Sequence, residues 1–239
     1  MEKRLFCLGN EYRVVGPEAT RHPLPVPAQR GGESDRIRRV IVLGPGLEGR
    51  HRVEMYNPRG VRVVPGASAL RCAGYALGQG CWELETDTGI RRVYVRGGET
   101  VLGFPPPVYG GEYQIGRDFH GYLVNMGQRY FITFRRDIHD LNIQNEGEAL
   151  DRYFGGVDTV FAQAGEVLQL RIWRRGGELP SSCTAACAAA AVLHRLDKGM
   201  LPLRISMPGG EVVVEWDPSG RYIQRAPVAE INTGSSGDP

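Results

Sequence analysis

The fold of this 239-residue chain is decided by residues 167–196, which read VLQLRIWRRGGELPSSCTAACAAAAVLHRL. The first part, Val167–Trp173, alternates apolar and polar residues as a half-buried β-strand does. A glycine turn follows, and the alanine-rich run after it predicts a helix over Thr184–Leu196 with Ser182 or Cys183 near its cap. The unpaired N–H groups and the dipole of such a helix start suit a carboxylate or a phosphate.

The same order of strand, turn and helix occurs earlier, from Glu54 to Gly80, where a helix is predicted over Ser68–Leu77. In both places the helix is followed by a strand, a turn and another strand, which indicates an internal duplication. We place the junction in the loop Phe104–Gly111, which is rich in proline and glycine. The predicted domains are therefore 1–108 and 109–239, with a flexible tail from about residue 233 and the functional site between the domains.

Strand patterns dominate the remainder of the chain, which predicts a mixed α/β (α+β) fold. Alternating or β-branched runs separated by glycine-rich turns predict strands at residues 39–43, 51–56, 82–86, 90–95, 130–134, 157–161, 167–173, 201–205 and 211–216. One further helix is predicted over Asn145–Phe154.

The composition argues against several classes of function. The formal net charge is only +2 at pH 7 and the only lysines are Lys3 and Lys198, so no nucleic-acid partner is expected. No apolar run is long enough for a signal peptide or a membrane span, which predicts a cytoplasmic protein without a membrane partner. The five cysteines form no CxxC pair, so we expect thiols and no metal site. No pattern indicates an organic cofactor.

Four short motifs, in order along the chain, resemble those of the diaminopimelate epimerase family of pyridoxal-phosphate-independent amino-acid racemases and isomerases. They are Leu8-Gly9-Asn10-Glu11-Tyr12, Tyr56-Asn57-Pro58-Arg59-Gly60, Val124-Asn125-Met126-Gly127-Gln128 and Met207-Pro208-Gly209-Gly210. The resemblance runs nearly end to end. It implies two pseudo-symmetric domains, each a curved β-sheet around a central helix, and an enzyme without a cofactor. Dimers are common among such proteins, so a homodimer is one expectation.

The chemistry of that family depends on two cysteines, one on each side of the substrate. A thiolate at a helix start removes the α-proton, and the second thiol delivers a proton to the other face. The first cysteine position corresponds here to Gly66, which has no titratable group. The second corresponds to Ser182 if a one-residue gap in the motif is placed early and to Cys183 if it is placed late. We prefer Ser182, with Cys183 as the alternative, so at most one thiol remains.

The resemblance also assigns binding positions, several of which have changed. Gln128 and Asp158 each replace an asparagine of the family, and Arg174 replaces the glutamate before a retained arginine. Exchanging glutamate for arginine reverses the charge presented to the substrate, which argues against diaminopimelate. The predicted substrate-binding residues are Asn10, Asn57, Ala67, Ser68, Gln128, Arg174, Arg175 and Thr184. The predicted catalytic residues are Cys183 or Ser182, with Asp158 as an alternative base.

Two classes of function follow. In the first, the protein is an isomerase, or a related lyase or cyclase, that moves a proton on one face of a small amino-acid-derived acid in a specialised pathway. The phenazine-biosynthesis isomerase branch, which also lacks the cysteine pair, gives a precedent. In the second, the protein is a non-catalytic paralogue that binds a small acid or a partner subunit.

Overall fold

The structure is a computed structural model that describes residues 1–21, 39–198, 201–217 and 220–231. By their contacts these residues divide into two compact units. The first comprises Met1–Val101 and the described residues from Pro227 onward, and the second comprises Leu102–Ala226. The predicted tail from about residue 233 lies outside the described residues.

The first unit is a sheet that packs against one helix, α1 (Ala67–Leu77). Along the sheet, β1 pairs antiparallel with β2, β2 parallel with β3, β3 antiparallel with β4, β4 parallel with β6, and β6 antiparallel with β7. The strands are β1 (Glu2–Cys7), β2 (Asn10–Val15), β3 (Arg39–Pro45), β4 (His51–Tyr56), β5 (Arg62–Val63), β6 (Gly80–Thr86), β7 (Gly89–Arg96) and β8 (Glu99–Phe104), with the late strand β18 (Ala229–Glu230) on β1. The residues of β8 from Leu102 onward belong to the second unit. Short 3₁₀ turns occupy Pro17–Arg21 and Leu47–Gly49.

The second unit has two helices, α2 (Ile143–Phe154) and α3 (Cys183–Arg195), among its described residues. Strand β10 pairs antiparallel with β11, β11 parallel with β12, β12 antiparallel with β13, β13 parallel with β15, and β15 antiparallel with β16. The strands are β9 (Val108–Ile115), β10 (Phe119–Asn125), β11 (Arg129–Phe134), β12 (Asp158–Gln163), β13 (Leu168–Arg174), β14 (Gly177–Leu179), β15 (Leu203–Met207), β16 (Gly210–Trp216) and β17 (Tyr222–Pro227).

The sequence of pairings is therefore the same in both units. Strands β1 to β4, helix α1 and strands β6 and β7 repeat as β10 to β13, α3, and β15 and β16, with the same parallel and antiparallel steps. A parallel pair requires a crossover connection, since its two strands start at the same edge of the sheet. Helix α1 makes that crossover from β4 to β6, and α3 makes it from β13 to β15.

Helix α3 is enclosed along almost its whole length. Every residue from Cys183 to Leu193 is buried except the half-buried Thr184. A helix that is hydrophobic on all sides belongs in an interior, and alanine lets surrounding strands approach it closely. The helix begins after Ser182, whose extended backbone and side-chain cap fix the first turn. No helix among the described residues has the length and apolarity to cross a membrane.

The predicted α/β class, the three helices and the strands at 39–43, 51–56, 82–86, 90–95, 130–134, 157–161, 167–173, 201–205 and 211–216 are confirmed, with shifted ends. The predicted loop Phe104–Gly111 is wrong in extent, because β8 reaches Phe104 and β9 begins at Val108. The glycines that predicted a loop serve strand pairing instead. A Cβ on Gly110 would lie 2.9 Å from Cδ2 of Leu123 on the paired strand β10, so glycine allows this close approach.

Helix α2 packs on β13 through a glycine, which gives a test of the second unit's core. A Cβ on Gly147 would overlap the ring of Trp173, a buried residue of the cluster around Phe131 and Phe161. Gly147→Ala is expected to lower the free energy of unfolding by about 1 to 3 kcal/mol through overpacking, despite the better helix propensity of alanine. Chemical denaturation measures the change.

The matched control is Gly103→Ala in β8, where a Cβ would have no heavy atom within 4 Å. This variant should unfold within about 0.5 kcal/mol of the parent. Equal stability of the Gly147→Ala variant and the parent would contradict the packing of α2 on Trp173.

Candidate functional site

The start of α3 holds a group of hydroxyls. Ser182 is the N-cap, and its Oγ accepts a hydrogen bond of 3.3 Å from the N–H of Ala185. Cys183 is the first helical residue and is buried, and its carbonyl accepts a hydrogen bond of 3.1 Å from the side chain of Gln224. Thr184 is half-buried. The cap uses one N–H of the first turn, and the N–H groups of Cys183 and Thr184 precede the first intrahelical bonds.

A buried tyrosine completes this group. Tyr130 lies on β11 with 1% of its surface exposed, and its hydroxyl interacts with the side chains of Thr184 and Ser182. Burial raises the pKa of Tyr130, and these two interactions offset only part of that rise. The side chain is therefore a neutral hydroxyl at neutral pH, able to donate one hydrogen bond and accept another.

An ion pair lies beside Tyr130. Asp158 is the residue of β12 that pairs with Tyr130 in parallel register, and it is 3% exposed. Arg174, the last residue of β13, donates to the Asp158 carboxylate through Nε at 3.1 and 2.9 Å and through Nη2 at 2.6 Å. The hydrogen bond and the charge of Asp158 raise the pKa of Arg174. The oxygens of the Asp158 carboxylate are therefore occupied by the guanidinium of Arg174.

Two other predicted binding residues of the second unit lie outside this group. The Nε of Arg175 donates to Oδ2 of Asp151 in α2 at 2.9 Å, while the arginine side chain is 79% exposed. Burial raises the pKa of Asp151, but hydrogen bonds from Arg175 and from the N–H of Gly156 outweigh it and hold the pKa below its usual value. Gln128 is exposed in the turn between β10 and β11.

In the first unit, the start of α1 also contacts a buried tyrosine, but its cap residue has no side chain. Gly66 is the N-cap, with ordinary extended backbone angles (φ −77°, ψ 174°) and no side-chain cap. Ser68, the second helical residue, shares a 2.7 Å hydrogen bond with the hydroxyl of Tyr12 on β2. Tyr12 is fully buried, and burial raises its pKa to about 12. Ala67, the first helical residue, lies between Gly66 and Ser68 and is half-buried.

The two predicted asparagines of the first unit hold turns. The amide nitrogen of Asn10 donates to the carbonyl of Leu8 at 2.9 Å, in the turn between β1 and β2. The side-chain oxygen of Asn57 accepts from the N–H groups of Arg59 at 2.9 Å and Val61 at 3.0 Å. Such contacts between a side chain and the backbone shape loops.

The two units thus share an arrangement that the sequence did not single out. In each, a buried tyrosine on the second strand of the repeat bonds to the hydroxyl of the second helical residue: Tyr12 to Ser68 and Tyr130 to Thr184. The sequence holds one signal for this arrangement, because Tyr130 lies two residues after the predicted binding residue Gln128. Among the described residues, no group of three or more His, Cys, Asp or Glu side chains is arranged to hold a metal ion.

Comparison with known proteins confirms the resemblance to diaminopimelate epimerases. The chain is 27% identical over 259 residues to the diaminopimelate epimerase of Bacteroides thetaiotaomicron, covering 97% of this chain and 96% of the relative. It is 24% identical over 264 residues to that of Sphingopyxis alaskensis, covering 98% and 96%. No protein-family model matches the chain.

Solved structures establish the fold. A phenazine biosynthesis PhzF family protein from Enterococcus faecalis matches with a TM-score of 0.72 at 13% identity, covering 97% of both chains. A hydroxyproline epimerase from Agrobacterium vitis, with bound trans-4-hydroxy-L-proline, matches with a TM-score of 0.67 at 14% identity, covering 96% of this chain and 90% of the other. A methylitaconate-delta-isomerase matches with a TM-score of 0.63 at 11% identity, covering 96% and 93%. The chain therefore has an epimerase- or isomerase-like fold.

The ion pair beside Tyr130 gives a stability prediction. Arg174→Ala leaves the buried Asp158 carboxylate without its guanidinium, which should lower the free energy of unfolding by roughly 2 to 3 kcal/mol. Arg204→Ala is the matched control, since Arg204 and Glu211 also form an arginine–carboxylate ion pair, at 2.8 Å, but their side chains are 61% and 51% exposed. The control should cost at most about 1 kcal/mol. Equal losses in the two variants, measured by denaturant unfolding, would contradict a buried ion pair.

Tyr12 gives a pH prediction. Its pKa is about 12 in the folded protein and about 10 in an unfolded chain. Above pH 10 the unfolded state loses this proton while the folded state keeps it, so the free energy of unfolding falls as pH rises from 10 to 12. Tyr12→Phe should make that fall shallower by an amount on the order of 2 kcal/mol. Unfolding curves at a series of alkaline pH values measure it, and an unchanged slope would show that Tyr12 ionises normally.

Proposed function

We propose that the protein is a cofactor-independent isomerase that moves a proton on one face of a small amino-acid-derived acid, next to its carboxylate. The observation that carries this proposal is the chemistry of the two helix caps. Gly66 caps α1 without any side chain, whereas Ser182 caps α3 as part of a cluster of hydroxyl side chains that includes Tyr130. Only one of the two caps therefore has a group that can exchange a proton with a carbon atom.

The equivalence of the two caps supports Ser182 as the counterpart of Gly66. Each immediately precedes its helix, and in each unit the buried tyrosine bonds to the residue two positions after the cap. Cys183 is instead the first residue inside its helix. Glycine at position 66 is not required by packing, because a Cβ there would have no heavy atom within 4 Å and the backbone angles suit any residue. The loss of a reactive side chain at this cap is therefore a difference in chemistry rather than in fold.

Binding of the substrate acid is assigned to backbone N–H groups. At the start of α3, the N–H groups of Cys183 and Thr184 combine with the positive end of the helix dipole to favour a carboxylate. As negative charge moves from the carbon to the carboxylate, the same donors stabilise the transition state. At α1, the N–H groups of Ala67 and Ser68 have the same character. Within the second unit, Gln128 and Arg175 are the proposed contacts to the rest of the substrate, and Asn10 and Asn57 of the first unit stay predicted binding residues.

Transfer of the substrate proton is assigned to the cluster of hydroxyl side chains at the start of α3. Ser182 is the residue that meets the carbon, and Tyr130 and Thr184 are the partners through which its proton is held or replaced. Cys183, whose thiol is a stronger acid than a serine hydroxyl, is the alternative at the same helix start. Asp158 stays the alternative base, although Arg174 occupies both of its carboxylate oxygens. The cationic Arg174 beside the site favours an acid over a substrate with a distal ammonium group.

Proton exchange in heavy water tests the proposal directly. The protein, without added cofactor, is incubated with a panel of small amino acids and unsaturated carboxylic acids, and NMR follows deuterium incorporation next to each carboxylate. We expect a rearranged product, or exchange with the configuration of the exchanging carbon retained, for at least one acid, because the proton leaves and returns on the same face. Absence of exchange and product across the panel would favour the non-catalytic paralogue, which binds the acid without reacting.

Two variants identify the proton-transferring group. Ser182→Ala is expected to lower the exchange rate by roughly 100-fold or more, as removal of an acid–base group does, while Cys183→Ser retains most of the rate. The opposite result would assign the proton to Cys183. Cys81→Ser is the control, since Cys81 is an exposed thiol at the start of β6 and should not alter the rate. Circular dichroism checks that each variant remains folded.

A further inference from the structure

A cavity lies in the second unit at the C-terminal end of α3. It has a volume of about 300 Å³, and its wall includes Pro107, Tyr109, His194, Arg195, Trp216 and Tyr222. His194 and Arg195 form the last turn of α3, whereas Ser182 precedes its first turn. The helix has 13 residues, so its two ends are separated by about 18 Å at 1.5 Å per residue. The cavity is therefore distinct from the hydroxyl group at Ser182.

Half of the residues in this wall are aromatic, and three of their rings meet edge to face. The rings of His194 and Trp216 have centroids 4.3 Å apart at an angle of 88°, and those of Trp216 and Tyr222 are 5.2 Å apart at 61°. Parallel stacking is therefore not used in either contact. Trp216 is 44% exposed, although a large indole next to a cavity gains free energy when it is covered. A flat ring in the cavity would supply both the cover and a stacking partner.

The charge at the cavity is positive. The guanidinium of Arg195 lies 4.5 Å from the centroid of the Tyr109 ring and is exposed to solvent, and no Asp or Glu is among the described residues of the wall. The hydroxyl of Tyr109 donates to the carbonyl of Ala191 at 2.7 Å, which fixes its ring under Arg195. Burial raises the pKa of Tyr109 and Tyr222, so both remain neutral. An aromatic cage without a carboxylate, next to an arginine, suits an anion rather than a cation.

We propose that this cavity binds a planar aromatic carboxylate, with its ring against Trp216 and its acid group at Arg195. The volume is at the lower end of the range for small-molecule sites and accommodates one ring or a fused pair of rings. The wall supplies apolar and aromatic surface from Pro107, Trp216 and Tyr222, and the guanidinium of Arg195 orients the ligand. Such a ligand is chemically different from the substrate proposed for the start of α3, because that site offers N–H groups and hydroxyls instead of rings.

Isothermal titration of the full chain with three probes tests the ligand class. Benzoate has the ring and the acid, cyclohexanecarboxylate has the acid without a flat ring, and phenyltrimethylammonium has the ring with the opposite charge. Benzoate is expected to bind roughly tenfold more tightly than either of the others, given the usual size of an aromatic pair and of a charged hydrogen bond. Equal binding of cyclohexanecarboxylate, or tighter binding of the cation, would overturn the proposal.

Variants place the bound probe. Trp216→Leu and Arg195→Gln should each weaken benzoate binding about tenfold, and the second keeps the test valid if the first does not fold. Trp82→Phe is the matched control, because Trp82 packs edge-on against His51 with centroids 5.5 Å apart in the first unit. Ser182→Ala should leave benzoate binding unchanged. Loss of binding in that variant alone would place the acid at the start of α3 and refute the aromatic cavity while leaving the proposed isomerase site intact.

Discussion

The burial of α3 is the constraint on which the second unit depends. Once a helix is surrounded by strands, its sides can hold only small apolar residues, and its unpaired backbone groups are confined to its two ends. Polar side chains are accordingly found at both ends of α3. The N-terminal end gathers Ser182, Thr184 and Tyr130, and the C-terminal end gathers His194, Arg195 and the aromatic residues of β16 and β17. An alanine core between them leaves no other place on the helix for polar chemistry.

The duplication shows how the same frame can support different chemistry at two helix starts. Helix α1 is also packed closely, since a Cβ on Gly74 would lie 2.7 Å from Cγ1 of Val93. Its start keeps the buried tyrosine and the hydroxyl at the second helical residue, but has no side chain at the cap. The tyrosine contacts depend on packing, because a buried hydroxyl must find a partner. Packing sets no such requirement at the cap position 66, because a Cβ there would have no heavy atom within 4 Å. The residue at this cap can therefore vary with function.

The charged residues beside Tyr130 are also paired with each other. The side chain of Asp158 is 5% exposed, and its carboxylate would be costly in this place without the cationic Arg174, whose side chain is 48% exposed. Together they form a buried carboxylate held by a half-exposed guanidinium.

The sequence by itself determined the helices, the duplication and the strands with strong alternation, because these depend on the period of apolar residues along the chain. It also placed Gly66 at a cap without a titratable group, which follows from residue identity. It did not reveal β9, where no residue is buried and the apolar alternation is absent, or the close approach of Gly110 to Leu123.

Only the tertiary structure decided the partners of Tyr130, Asp158 and Trp216. The hydroxyl of Tyr130 meets side chains more than fifty residues later, and Asp158 meets Arg174 because β12 and β13 are antiparallel neighbours. Such contacts are set by sheet register and by the position of a helix over the sheet. Neither leaves a periodic trace in the amino-acid sequence, so the polar groups at both ends of α3 become visible only when the strands are assembled around it.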